Sequence, residues 1–382
     1  MEQVLYSLPD GWKYQKLKTL IKMHYGKALK AVDRIQGDVP VYGSNGIVGS
    51  HNEHLWSQPT VVIGRKGSVG EANLSLTPSW TIDTAYYVEI IDQEVLDLMY
   101  FYHFADRFDV SSISQKGVKP GINRNDYLNL SFPLPPLKEQ KRIVEKLDAL
   151  LTRIDTAIEH LQESVTLADA LSKNGLSEIF ESLKDRYEVV PLSSVVKINS
   201  GIALPKLFKS GFSDGDIPFF KVAQMNNHHE TMVAPEITFN ETVAKEHKIK
   251  LFPKGSTLIP KRGGAILTNK KRMLLEDASY DSNIMGLKAD ESKISDEYLF
   301  AFMRTIDLAN FVDASTIPQV NNKHIDQMQI PLASIEEQTD VVSRVNLLVK
   351  KVETMNSEIQ RQLDDLQALK SSILDSAFKG EL

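Results

Sequence analysis

The sequence predicts an α+β fold: two duplicated globular domains, each followed by a long helix, with the two helices paired within the chain. Three observations carry this expectation. "FPLPPLKEQ" (132–140) returns as "IPLASIEEQ" (330–338), apolar stripes of coiled-coil spacing follow both copies, and short β-branched runs broken by glycine precede them.

The repeat extends well beyond one phrase. At an offset of 198, "GVKPGINRNDYLNLSFPLPPLKEQ" falls on "STIPQVNNKHIDQMQIPLASIEEQ", so Pro120 meets Pro318, Asn123 meets Asn321 and Gln140 meets Gln338. "VVIGRKGS" (61–68) corresponds to "TLIPKRGG" (257–264), and "TIDTAYY" to "SYDSNIM", which sets Asp83 on Asp281. The copies begin at "GWKYQKLKTL" and "YEVVPLSSVV", where Leu17 matches Leu192 at an offset of only 175. About twenty extra residues therefore lie inside the second copy. A long period seen twice means duplicated domains rather than a solenoid.

Behind the first copy, Ile143, Leu147, Leu150, Ile154, Ile158, Leu161, Val165 and Ala168 step by threes and fours. Val341, Val345, Leu348, Val352, Met355, Ile359, Leu363 and Leu366 do the same behind the second. Such a stripe must meet another helix. About 40 helical residues at ~1.5 Å each span roughly 60 Å. An ordinary bundle core or a homodimer zipper has the same spacing, but the equal lengths and duplicated lead-ins favour an intramolecular pair. Pro136 suits a first helical turn, and Asn174-Gly175 reads as an interruption of the first helix. In front, "VPVYGSNGIVGS", "PTVVIGRKGSVGEANL" and "GSTLIPKRGGAILTNK" read as strands and turns. "VLDLMYFYHFADRF" (95–108) and "DEYLFAFMRTIDLANF" (296–311) read as short helices in equivalent places.

Composition excludes several classes. The 382 residues are 42% apolar and 25% charged, with no cysteine for a disulfide or a thiolate metal site. Neither a secretory signal nor an apolar run of roughly 20 residues is present, so a cytoplasmic protein is expected. The net charge of −6 is concentrated in the helical stretches. Elsewhere the positive charge is clustered: Lys13–Arg34 holds seven basic residues against Asp33, and Lys245–Arg272 holds nine against Glu246. Phosphate-loop, H-E-x-x-H and G-x-G-x-x-G patterns are all missing, as is the Asn/Asp-Pro-Pro-aromatic motif of amino-methyltransferases. His228-His229, the only adjacent histidine pair, reads as a loop rather than a metal site.

Binding is the remaining chemistry. Arg65-Lys66 and Lys261-Arg262 occupy equivalent positions beside Gly67 and Gly263-Gly264, where a turn without side chains lets a phosphate backbone approach. Lys270, Lys271 and Arg272 in "TNKKR" form a further basic group. Ser44 and Asn45 on the "YGSNG" turn, and Gln224, Asn226 and Asn227 in "KVAQMNN", are candidate base readers, although turn chemistry alone explains Asn before Gly. Tyr42, Ser68 and Lys119 complete the DNA-binding candidates.

These phrases together resemble the specificity subunit of type I restriction–modification systems. "YGSNGIVG" with "IGRKGSVG" is similar to the family's recognition regions. "PLPPLKEQKRIVEKLD" and "IPLASIEEQTDVVSRV" are similar to its spacer starts, and "SAFKGEL" to its C-terminus. The resemblance implies target-recognition domains at 1–132 and 187–332 and spacer helices at 133–186 and 333–382, the helices packed antiparallel. Each domain would read one half of a split site in double-stranded DNA, and the helices would set the gap. Two methyltransferase subunits would methylate adenine with S-adenosylmethionine, and up to two restriction subunits would bring ATP and Mg. The chain itself would hold no cofactor and no catalytic residue. The two recognition regions diverge in length and sequence, so an asymmetric site is expected. A coiled-coil structural adaptor with protein-binding heads is the alternative, which the basic clusters disfavour. A self-sufficient nuclease or methyltransferase with a degenerate motif is a more remote one.

Overall fold

A computed structural model describes residues 6–115, 121–208, 211–313 and 317–382. It divides into two compact units, residues 1–163 with 360–382, and residues 164–359. Among the described residues no helix is long and apolar enough to cross a membrane.

The first unit contains strands β1 (Lys13–Lys16), β2 (Ile21–Tyr25), β3 (Val39–Gly43), β4 (Gly46–His51), β5 (Thr60–Gly64), β6 (Ala72–Ser75), β7 (Trp80–Thr81), β8 (Ala85–Ile90), β9 (Ser114–Gln115), β10 (Gly121–Ile122) and β11 (Ser131–Leu134). Its short helices are α1 (Leu98–Arg107) and α2 (Arg124–Leu128). A four-stranded sheet has the order β2-β8-β5-β6, beside a three-stranded sheet β4-β3-β7 and the pair β1-β11. Val61, Ile63, Tyr86 and Val88 from the larger sheet are buried with Tyr100, Phe101 and Phe104 of α1. Asp97 begins α1 by accepting hydrogen bonds from the Met99 and Tyr100 amides, as an N-cap aspartate does.

The second unit repeats this plan. Its strands are β12 (Val189–Pro191), β13 (Val196–Ser200), β14 (Phe212–Asp214), β15 (Ile217–Phe220), β16 (Ile237–Phe239), β17 (Thr257–Pro260), β18 (Arg272–Met273), β19 (Ser279–Tyr280), β20 (Ile284–Ala289) and β21 (Gln329–Pro331). The order β13-β20-β17-β18 matches β2-β8-β5-β6, and the pair β12-β21 matches β1-β11. β15 runs parallel to β19 as β3 does to β7. The extra residues of the second copy lie between β13 and β17. They supply β14 and α4 (Glu241–Glu246), while β16 pairs antiparallel with β15 as β4 does with β3; Phe208, Phe219, Ile237 and Phe239 form a separate small core there. Helices α5 (Asp296–Thr305) and α6 (Asn322–Gln327) stand where α1 and α2 stand in the first copy.

The long helices are α3 (Leu137–Lys184) and α7 (Ile335–Lys379). In the first unit the start of α3 lies against the end of α7, with Lys370 donating to Asp155 at 2.8 Å. Arg142, nearer the start of α3, reaches the carbonyl of Leu382 at 2.7 Å. In the second unit Asn356 donates to Asp169 at 3.0 Å, and Gly175 faces Leu348. Residue numbers rise along one helix as they fall along the other, so the pairing is antiparallel within each unit. Ile143, Leu147, Ile154, Val341, Val345 and Val352 are buried as the stripes require. Leu161, Leu348 and Leu363 are half-buried.

Three expectations for these helices are corrected. Leu151 is buried, whereas Leu150 is only half-buried, because a straight α-helix drifts against a strict seven-residue repeat. Met355 is 48% exposed, and the neighbouring Asn356 takes the inward place. Asn174-Gly175 does not interrupt α3, which is continuous. A Cβ at Gly175 would lie 2.9 Å from a methyl of Leu348, so glycine there permits close approach of α7.

Each head is completed by the helix belonging to the other copy. Phe378, near the end of α7, is buried against Tyr100 and Phe104, with ring centres at 5.1 and 5.7 Å. Phe180, exactly one repeat earlier in sequence, sits against Tyr298 and Phe302 at 5.4 and 5.5 Å. Burying such a ring contributes about 1.5–3 kcal/mol.

Candidate nucleic-acid interface

The two basic pairs stand on the same scaffold. In the first head the Arg65 amide donates to the Thr84 carbonyl at 2.9 Å, and the Arg65 carbonyl accepts from Ile122 at 3.1 Å. In the second, the Lys261 amide donates to Asn283 at 2.7 Å and its carbonyl accepts from Val320 at 3.0 Å. Lys66 then bridges to Gly121, as Arg262 does to Gln319. The next residue, Gly67 or Gly263, has a φ of +82° or +78°, which only glycine adopts without strain. Lys66 and Arg262 are exposed, and Lys261 is half-buried with its ammonium 3.1 Å from the Ser200 hydroxyl.

The candidate turn residues gather beside these pairs. Ser44 and Asn45 form the two-residue link between β3 and β4. A Cβ on Gly67 would lie 3.6 Å from the Ser44 hydroxyl, so this turn and the Arg65–Ser68 loop share one edge of the first head. Asn45 is exposed and Ser68 half-buried. In the second head the Asp281 carboxylate accepts from the amides of Val222 and Asn283. It thereby ties the turn carrying Gln224 and Asn226 to the loop that holds Lys261. Asn226 is exposed there. Both ends of the Gln224 amide group are engaged, accepting from Lys221 and donating to Ala234 at 2.8 Å.

Other candidates are placed elsewhere. Tyr42 is 7% exposed in a small core with Val62 and Ala85, so its ring supports the turn rather than facing a ligand. Lys271 is 7% exposed, held by the Asn269 side chain and the Ile306 carbonyl, and burial pushes its ammonium down to about 7. Arg272 is buried too, donating to the carbonyls of Lys271 and Asn227. Asn227 in turn bonds to the Gln224 and Thr231 carbonyls, which is turn chemistry. Of the "TNKKR" group, burial removes Lys271 and Arg272 from phosphate reach and leaves Lys270 half-buried. Lys119 lies outside the described residues.

Two residues at the first-head site were not among the candidates. Arg65 and Arg124 both lie over the ring of Tyr25, at 5.0 and 5.1 Å from its centre. Tyr25 also abuts Tyr86, whose hydroxyl is pushed up from its ordinary value by burial and then by Tyr25, while Arg65 pulls it down. Tyr25 and Arg124 are 99 residues apart, and no local motif joins them. A different signal was available for the scaffold: "GKAL" at 26–29 returns as "GIAL" at 201–204. A Cβ on Gly26 or Gly201 would strike the carbonyl of Ile82 or Asp281 at 2.0 Å, so glycine is required where β2 and β13 end.

Comparison with known proteins agrees with this duplicated architecture. A family model described as the type I restriction modification DNA specificity domain matches residues 9–167 and again 184–364. The type I restriction enzyme EcoDI specificity subunit of Escherichia coli is 24% identical over an alignment of 425 positions, covering 98% of this chain and 89% of that protein. A chain from a solved structure concerning complex assembly and conformational transition of the type I R-M system superposes with a TM-score of 0.78 at 18% identity. It covers 99% of this chain and 100% of its own. The HsdS subunit of Thermoanaerobacter tengcongensis superposes with a TM-score of 0.58 at 19% identity, covering 99% of both chains.

Proposed function

Since the chain belongs to the type I restriction–modification DNA specificity family, we propose that it is the DNA-recognition subunit of such a complex, each head reading one half of an asymmetric two-part site. The observation that carries this reading is the basic pair followed by a positive-φ glycine, held by equivalent backbone hydrogen bonds in both heads. Lys and Arg at such turns bind phosphate oxygens and release counterions, which supplies affinity without sequence preference. Polar groups on the adjoining turns, Ser44 and Asn45 in one head and Asn226 in the other, supply base contacts.

The chain contributes recognition, and its partners contribute the chemistry. Two methyltransferase subunits carry S-adenosylmethionine and methylate an adenine in each half-site, and up to two restriction subunits bring ATP and Mg for cleavage. An adenine must leave the base stack to be methylated, which calls for an enclosed pocket in the partner rather than the open turns of these heads. α3 and α7 set the gap between the half-sites.

The double substitution Lys261→Ala with Arg262→Ala tests the phosphate role. Affinity of the assembled complex should fall on every DNA sequence alike, and the slope of log affinity against log salt should shrink by about one to two units. A loss confined to one base position would show that these residues read sequence instead.

A further inference from the structure

In the first head, Tyr25 carries two guanidinium groups and no acid. The residue is 50% exposed, with Arg65 and Arg124 at 5.0 and 5.1 Å from its ring centre. Arg65 donates to the Asp83 carbonyl at 3.1 Å and also lies against Tyr86, whereas Arg124 reaches the Met23 carbonyl at a long 3.4 Å. No carboxylate pairs with either among the described residues, and the Arg124 Nε is buried with no hydrogen-bond partner among them. Two like charges against one ring repel each other. A guanidinium stacked on an aromatic face keeps its donors in its own plane, oriented in advance for a planar acceptor.

Comparing the copies position by position separates two kinds of residue. Arg65 and Lys66 become Lys261 and Arg262, so the positive charge is kept. Tyr25 becomes Ser200, and Arg124, the first residue of α2, becomes Asn322, the exposed first residue of α6. A phosphate is the same under both halves of a site, so a contact to it can keep its chemistry. A base reader has to change when the halves differ. Arginine is suited to the O6 and N7 acceptors of guanine, and asparagine to the N6 and N7 groups of adenine.

We infer that Arg124, held on the face of Tyr25, reads a guanine in the half-site of the first head, and that Asn322 is the corresponding reader, suited to adenine, in the second. Tyr25 is a positioning residue. This rests on the reading of both heads as DNA-binding and names the residues that set their preference.

The test measures binding of the full chain, assembled with its methyltransferase subunits, to duplexes in which each half-site position is changed in turn. Arg124→Ala and Arg124→Gln should each flatten a guanine preference at one position of one half by about five- to one-hundred-fold. The other half and the gap should be unchanged, and Asn322→Ala should relax one position in that other half. Equal weakening on all duplexes would make Arg124 a phosphate contact and overturn the inference. Arg124→Gln keeps a long polar side chain but suits adenine, so an undiminished guanine preference in that variant overturns it even where Arg124→Ala fails to fold. A wild-type complex with no two-part preference would instead refute DNA recognition itself, and this assignment with it.

Discussion

Gln140 and Gln338 explain why a short phrase had to be written twice. Both are buried, at 0% and 1% exposure, and every hydrogen-bonding atom of their amides is engaged in the same way. Gln140 accepts from the Asp97 amide and donates to the carbonyls of Val95 and Pro135 at 2.8 to 2.9 Å. Gln338 accepts from Ser295 and donates to Lys293 and Ala333, each at 2.9 Å. Tyr100 and Tyr298 add matching bonds to the carbonyls of Pro133 and Pro331. The first turn of each long helix is thus latched to its own head through otherwise unpaired backbone groups. Gln140→Leu keeps the volume but leaves an amide and two carbonyls without partners. It should lower unfolding free energy by about 1–3 kcal/mol, measured by urea denaturation. An unchanged midpoint would mean that water satisfies these groups and that the latch is dispensable.

The helices were the most legible elements, because a seven-residue apolar rhythm survives in sequence whatever it packs against. Their finer detail was not. Gly175 reads locally as a break, and only the approach of Leu348 from a segment 173 residues away shows that α3 needs a small residue there. Gly175→Leu should destabilise the protein by about 1–3 kcal/mol through overpacking. Gly175→Ala should be close to neutral, since its new methyl meets only the movable end of Leu348 while the helix gains about 1 kcal/mol of propensity. Comparing the two melting temperatures checks this, and equal losses would point to helix bending instead of crowding. The basic turns were legible for the same reason as the repeat. Burial of Lys271 and Arg272 was not, because a run of cations looks the same in sequence whether carbonyls or water surround it. The Tyr25–Arg124 contact depends on the packing of α2 against β2, which joins residues 99 positions apart.

At the scale of the molecule, duplication carries the account. Each head repeats the sheet order, the N-capped helix, the glutamine latch and the basic turn, and each takes its closing phenylalanine from the helix of the other copy. The heads diverge in the insertion between β13 and β17 and at the turn residues, which is the divergence the proposed asymmetric site calls for. Inserting four residues into each long helix, within 143–168 and at the paired stretch of α7, should lengthen the gap between the recognised half-sites while leaving both half-sites unchanged. A gap that stayed constant would mean the helices do not act as the ruler. The most direct measurement is base-resolution mapping of N6-methyladenine in host DNA, with and without this chain, keeping its methyltransferase partner in both. The account predicts methylation at one asymmetric two-part motif that vanishes when the chain is removed. A methylation map unaffected by the chain, in a system shown to be active, would contradict it.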